Sequence, residues 1–241
     1  LTCIMTVYLI HGFGMNNSIW RKITKNIQAE NIILTNLPGY DGTDEKYYDN
    51  IESLASAYKT LIKRPGIIVG HSMGGYLALQ ICKLFPEKIR GLMLFHSHPF
   101  ADSGDKQEGR KKHISFLETH GVAKFYKEIM PNFFHNKANK EIEQLINNGN
   151  NMRVSLLVNN LQIMTSRPDM TDFLTKTNIP VGFIIGKYDN LIDGEAWFAQ
   201  TAFPKKAAVY ALKKSAHLGM LEEPRKSTEA INHFIETCSL L

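Results

Sequence analysis

Ser72 stands in Gly70-His71-Ser72-Met73-Gly74-Gly75, between the apolar run Gly66-Ile67-Ile68-Val69 and an amphipathic run over 76–85. A strand, a glycine-bounded serine and a helix in succession describe a sharp turn that lifts one hydroxyl above a sheet edge. Such a turn brings the backbone on either side of the serine close together, which leaves no room for Cβ atoms. The helix that follows aims its unsatisfied N–H groups and positive dipole end at the reacting centre. At ordinary Gly and Ser frequencies a chain this long holds roughly 0.06 G-x-S-x-G matches by chance, and the strand before and helix after it argue against a turn without chemistry. A serine hydroxyl is a poor nucleophile at neutral pH and needs a base within reach and an acid to orient that base. Two later loops offer them: Gly186-Lys187-Tyr188-Asp189-Asn190 and Lys213-Lys214-Ser215-Ala216-His217-Leu218-Gly219.

These residues need a scaffold that carries loops to one edge, and the sequence supplies it by alternation. Apolar runs over 5–10, 32–34, 66–69, 91–96, 179–186 and 207–212 read as strands. Helical spacing occupies 18–30, 51–63, 76–85, 195–201 and 222–237. Strand–helix alternation of this kind predicts a parallel sheet buried on both faces, with reacting groups at the carboxyl ends of its strands. From about 99 to 178 no strong strand appears. Helical patterns lie over 106–120, 122–130, 139–147 and 152–165, separated by polar joints such as Asn147-Asn148-Gly149-Asn150-Asn151. An all-helical insertion in a βα series is expected to lie as a cap over the strand ends. The expected organisation is a core of residues 1–98 and 166–241 with a helical cap over 99–165, and a sheet of about six parallel strands.

Composition narrows the function classes. The 28 basic and 23 acidic residues leave a formal charge of +5, spread along the chain except at Arg110-Lys111-Lys112-His113. A nucleic-acid binder would show a denser basic stripe with interleaved aromatics, so no nucleic-acid partner is expected. The basic cluster reads as a solvated helix face or as a positive lip for an acidic substrate. No run approaches the roughly 20 apolar residues of a membrane span, so no membrane partner is expected. The apolar start lacks a basic leader and a cleavage site, and runs straight into His11-Gly12-Phe13-Gly14. Cys3, Cys82 and Cys238 form no C-x-x-C pair and read as free thiols of a reducing compartment, so a cytoplasmic location is expected. No histidine pair has metal-ligand spacing backed by carboxylates, so neither metal nor cofactor is expected.

The order Ser72, Asp189, His217 resembles that of the α/β-hydrolase fold enzymes, in particular the capped esterase/lipase-like group. The resemblance runs over nearly the whole chain. It is carried by His11-Gly12-Phe13-Gly14, Leu37-Pro38-Gly39-Tyr40-Asp41-Gly42, Gly70 to Gly75, Gly186 to Asp189, and Ser215-Ala216-His217. It implies Ser72 as nucleophile, Asp189 as acid, His217 as base, and an oxyanion hole from the backbone N–H groups of Phe13 and Met73. Glycines on both sides of Phe13 fit that reading, because they let a main-chain N–H turn inward. The fold's haloalkane dehalogenases and epoxide hydrolases carry Asp at the elbow, which this chain does not.

Alternatives stay open at this stage. Asp193 and Asp102 compete with Asp189 for the acid. His71 is expected to point away from the site and His11 to brace the oxyanion loop. His96 and His98 leave the strand beside the elbow, where a structural role competes with lining the pocket. Phe133, Phe134, Met130 and Met164, with His96, are the candidate substrate-binding residues, although helical core packing would also explain the apolar four. The expected activity is hydrolysis of carboxylic esters with small or medium acyl groups through an acyl-enzyme. Thioester hydrolysis and C–C bond hydrolysis run on the same triad. A non-catalytic ligand-binding protein on a hydrolase scaffold is the alternative from another class.

Overall fold

The β-branched apolar runs build six strands: β1 (Thr6–Ile10), β2 (Asn31–Thr35), β3 (Gly66–His71), β4 (Ile89–Phe95), β5 (Val181–Gly186) and β6 (Ala207–Leu212). The structure, a computed structural model, describes residues 5–40, 43–192 and 194–240. Neighbouring strands all run parallel, in the order β2-β1-β3-β4-β5-β6. Every residue of β1, β3 and β5 is buried. Successive side chains of a strand point to opposite faces, so these strands are covered on both. The edge strands β2 and β6 are partly exposed. The chain steps outward from β1 to β2 and returns to β3 on the other side of β1. The strand order therefore reverses between β1 and β3, where an open parallel sheet leaves a crevice at its carboxyl edge.

Helices α1 (Ile51–Ala57) and α2 (Met73–Leu84) pack on each other, and α2 lies on β3 and β4. Between β4 and β5 come α3 (Gly104–Ile129), α4 (Glu141–Gly149), α5 (Val154–Thr165) and α6 (Thr171–Lys176). This is the helical insertion that the loss of strand pattern predicts. Gly121, at φ 75°, breaks the direction of α3 where the sequence places a joint between two helices. The chain closes with α7 (Gly194–Ala199), α8 (Gly219–Glu222) and α9 (Pro224–Ser239). Helix α9 sets Phe234 and Cys238 against Gly91 and Gly182 of the sheet, where no Cβ would fit without displacement.

Two helices differ from the expectation. Residues 18–30 form two 3-10 turns, Asn17–Trp20 and Thr24–Asn26, in place of one helix. Ile19, Trp20 and Ile23 are fully buried all the same. The turns bury the apolar set that a helix would, and a segment with three isoleucines and a threonine gains little from helix propensity. The helix expected over 51–63 stops at Ala57 and ends in a 3-10 turn, Tyr58–Thr60. Among the described residues no helix is long and apolar enough to cross a membrane. Asp193 and Cys3 lie outside the described residues, as do Asp41 and Gly42 of the loop after β2.

Candidate active site

Ser72 follows β3 at φ 52° and ψ −117°, a conformation that non-glycine residues rarely adopt. The glycines around it are required by contact. A Cβ on Gly70 would sit 2.3 Å from the Gly74 carbonyl oxygen, and one on Gly74 would sit 2.5 Å from the carbonyl oxygens of Ile10 and His11. The turn is held from the next strand, where Phe95 O accepts from the Ser72 N–H (3.0 Å) and Ser97 Oγ donates to Ser72 O (2.8 Å). Ser72 is partly exposed although both its neighbours are buried. Met73 opens α2, so its N–H has no carbonyl a turn earlier to bond.

The loop after β1 stacks on this turn. A Cβ on Gly12 would come to 2.7 Å from His71 Nδ1 and 3.1 Å from the Ser72 Cβ, which brings the Phe13 backbone beside the serine. His11 braces the loop: its Nδ1 donates to Gly12 O (2.8 Å) and its Nε2 accepts from the Leu37 N–H (3.0 Å). Burial lowers the His11 pKa to about 4, so the ring works as a neutral brace.

His217 and Asp189 arrive from the ends of β6 and β5. His217 Nδ1 donates to Asp189 Oδ2 at 2.8 Å, and both side chains are buried. Burial by itself would raise the Asp189 pKa. The His217 imidazole against it, helped by His96, holds it well below the ordinary carboxylate range. The His217 backbone is pinned at both ends, its N–H donating to Phe133 O (3.0 Å) and its carbonyl accepting from His71 Nε2 (2.8 Å). His71 thus points away from the serine hydroxyl, towards the loop that carries His217. Its pKa is driven well down by burial and by the neighbouring His217 and His96.

His96 is not a pocket residue. Its fully buried ring stands behind Asp189, with Nδ1 3.2 Å from Oδ2, off the line of a full hydrogen bond, and Nε2 accepting from the Gly219 N–H (3.2 Å). The rings of His71, Phe95, Trp197 and His217 pack round it, and it is not among the residues that line the cleft with Ser72. His96, Asp189 and His217 bring one ligand atom each within 4.8 Å of one another. The hydrogen bonds of Asp189 Oδ2 with His217 and of His96 with Gly219 occupy that cluster. His98 also turns inward, bonding Tyr76 Oη (3.2 Å) and accepting from the Phe100 N–H (3.2 Å).

Asp102 has other work. It is buried against two guanidinium groups, with Arg167 Nη1 at 2.7 Å from Oδ1 and Arg110 paired through Nε and Nη2. Of the two acids weighed from sequence that lie among the described residues, Asp102 and Asp189, it is Asp189 that the fold brings to His217.

Ser72 and His217 line one cleft of about 370 Å³. Phe13, Phe125, Phe133, Leu161 and Met164 supply apolar walls, and Lys106 and Arg110 of α3 face the same space. Two of the five candidate substrate-binding residues, Phe133 and Met164, therefore meet the cleft. Phe134 and Met130 are buried away from it (1% and 0% exposed), Met130 packing towards Gly14. Side chains one position apart in a tight turn face different directions, which helical spacing could not resolve for Phe133 and Phe134.

A sequence model of the alpha/beta hydrolase family matches residues 7–230. The chain belongs to the alpha/beta hydrolase family. It is similar to the pimeloyl-[acyl-carrier protein] methyl ester esterase of Pseudoalteromonas atlantica, at 21% identity over 87% of this chain and 86% of that one. The enzyme of the same name from Aeromonas hydrophila is 23% identical, over 94% of each chain. Among solved structures, a thermophilic esterase from Thermogutta terrifontis superposes with a TM-score of 0.88 at 21% identity, covering 98% of this chain and 90% of that one. The esterase EaEST from Exiguobacterium antarcticum gives 0.86 at 18% identity, covering 98% and 93%.

Sequence reasoning missed several residues that hold the site of this alpha/beta hydrolase together. Tyr126 of α3 donates to Gly14 O (2.8 Å), while Tyr40 Oη accepts from the Gly14 N–H (3.3 Å) and from Asn160 Nδ2 of α5 (2.7 Å). The helical insertion is thereby tied to the loop that carries Phe13. Glu222 accepts from the Ala216 N–H (2.8 Å) and the His135 N–H (2.9 Å), which ties the His217 loop to the same insertion. No spacing in the sequence signals partners this far apart along the chain.

Proposed function

We propose that the chain hydrolyses carboxylic esters of small or medium acyl groups through an acyl-enzyme at Ser72. The observation that carries this reading is the 2.8 Å bond from His217 to Asp189, at the edge of a cleft that His217 shares with Ser72. Ser72 attacks the acyl carbon while His217 takes its proton, and Asp189 fixes the imidazole tautomer and stabilises the imidazolium. The backbone N–H groups of Phe13 and Met73 receive the oxyanion, each such donor contributing a few kcal/mol in sites of this kind. His217 then protonates the leaving alcohol and activates the water that releases the acid. His96 acts through Asp189 as a positioning residue. Residues 99–165 serve as a cap whose Phe133 and Met164 select the acyl group. The names of the curated relatives support an ester as substrate. Buried free thiols at Cys82 and Cys238 suit a reducing compartment, the cytoplasm.

The test is turnover of p-nitrophenyl esters of increasing acyl length, extended to acyl thioesters. Wild type turns over the esters and a fluorophosphonate labels Ser72. Ser72→Ala loses turnover and labelling with an unchanged circular dichroism spectrum. Undiminished turnover by purified Ser72→Ala protein removes Ser72 from the mechanism. Preference for thioesters would move the substrate class while keeping the triad.

A further inference from the structure

The charges on the cleft wall are one-sided. Among the described residues lining the cleft, Lys106 and Arg110 are cationic and none is acidic. Behind them Arg110 and Arg167 both pair with Asp102, and the Asp189 carboxylate, already bonded to His217, also acts on Lys106. Lys106 pairs with no acid among the described residues. Its ammonium donates to the Leu191 carbonyl at 2.6 Å, in the loop that follows Asp189. Three cations thus stand against the carboxylates of Asp102 and Asp189, and Lys106, exposed to solvent at the mouth, and Arg110, half-buried, carry positive charge to the cleft wall.

Unused donors point the same way. Arg110 spends Nε and Nη2 on Asp102, and its Nη1 is left with the Met164 sulfur at 3.5 Å. A thioether is a weak acceptor for a guanidinium N–H. Met164 itself lines the cleft, so that donor stands where a ligand oxygen would replace the sulfur. Lys106 keeps two further N–H donors beyond its one carbonyl. Nearby, Lys111 and Lys112 are exposed and Lys111 faces Glu108, so the basic cluster divides between solvent and cleft.

We infer that Lys106 and Arg110 form an anion subsite that binds a free carboxylate carried by the ester substrate. This rests on the esterase reading of Ser72. The apolar walls take the alkyl chain, and the cations take the acid group at its far end. The substrate class is then the half-esters of dicarboxylic acids, or esters of hydroxy acids where the carboxylate sits on the alcohol side.

Matched pairs of esters test this and tell the two sides apart. Methyl hydrogen adipate is compared with methyl hexanoate, and the acetyl ester of ω-hydroxyhexanoate with hexyl acetate, by following acid release. Wild type prefers the anionic member of at least one pair, and added salt erodes that preference. The ratio of kcat/KM, anionic over neutral, falls about tenfold in Lys106→Met and in Arg110→Gln, the size expected for one charge-assisted contact. Equal kcat/KM within both pairs, or a ratio that neither variant moves, overturns the subsite. Failure of the esterase reading shows differently, as no turnover of any ester. The subsite is then read by calorimetry of adipate on Ser72→Ala protein. Binding weakened by Lys106→Met supports it, and absent or unweakened binding overturns it.

Discussion

His96 sets its Nδ1 3.2 Å from the same Asp189 oxygen that His217 Nδ1 reaches at 2.8 Å. The fold makes room for this second imidazole at some cost. His96 is held at φ 48°, and the neighbouring Gly186 and Gly219 leave space for it, since a Cβ on either would come to 2.7 Å from the ring. Its Nε2 also accepts from the N–H of Gly219, two residues beyond His217. One side chain therefore touches both Asp189 and the loop of His217.

The two contacts of His96 can be separated by substitution. An Asn amide nitrogen stands near the position of Nδ1, and Asn tolerates positive φ. His96→Asn should keep kcat within a few-fold of wild type. His96→Gln retains an acceptor for Gly219 but no donor for Asp189, and should lose about tenfold in kcat with little change in KM. Equal kcat for the two variants would show that the Asp189 contact does not matter to turnover.

The two buried aspartates should fail in different ways. Asp189→Asn should lower kcat by about three to four orders of magnitude, because the imidazole loses its fixed tautomer, while the protein stays folded. Asp102→Asn leaves the buried Arg167 without its full counter-charge and should cost about 3–5 kcal/mol of stability by urea denaturation, with kcat on a neutral ester largely kept. The reverse pattern would transfer the acid role to Asp102.

Phe133 and Phe134 are neighbours with different duties. Phe133→Ala opens the cleft wall and should raise KM several-fold for longer acyl chains, and less for acetate esters. Phe134→Ala empties a fully buried position and should destabilise by about 3–5 kcal/mol without reshaping the chain-length profile. An unchanged profile in Phe133→Ala would remove that ring from acyl selection.

Acid should destabilise the protein well above the carboxylate range. Burial lowers the pKa of His11 to about 4 and of His98 to about 3, and also lowers those of His71 and His96. Unfolded, each would titrate near 6.5. Between that value and about 4 the unfolded chain binds more protons, so stability rises with pH across this window. Each full proton of difference steepens the slope by about 1.4 kcal/mol per pH unit. Asp189 acts in the same direction lower down. Its depressed folded pKa gives stability that is present above the unfolded 3.8 and lost as pH falls through the folded value. Urea denaturation at a series of pH values should show uptake of more than one proton on unfolding near pH 5. A flat profile between pH 6.5 and 4.5 would refute it.

The sequence by itself determined the strands, the elbow and the placing of Ser72, Asp189 and His217 in loops at the carboxyl ends of strands, because these depend on local causes. A short continuous apolar run bounded by turn residues writes a buried strand, and glycines at two fixed offsets permit the turn that strains Ser72. The helical insertion was legible for the same reason, as a stretch where strand periodicity stops. Only the tertiary structure decided which acid reaches His217, because Asp102 and Asp189 both follow strands and differ in the partners that other elements bring: arginines for one, imidazoles for the other. It also moved His96 from the pocket to the back of Asp189. It split Phe133 from Phe134, and turned Arg110 inward while Lys111 stayed in solvent. Such assignments rest on contacts between residues many tens of positions apart, and short-range spacing does not encode which distant side chain will fill a given space.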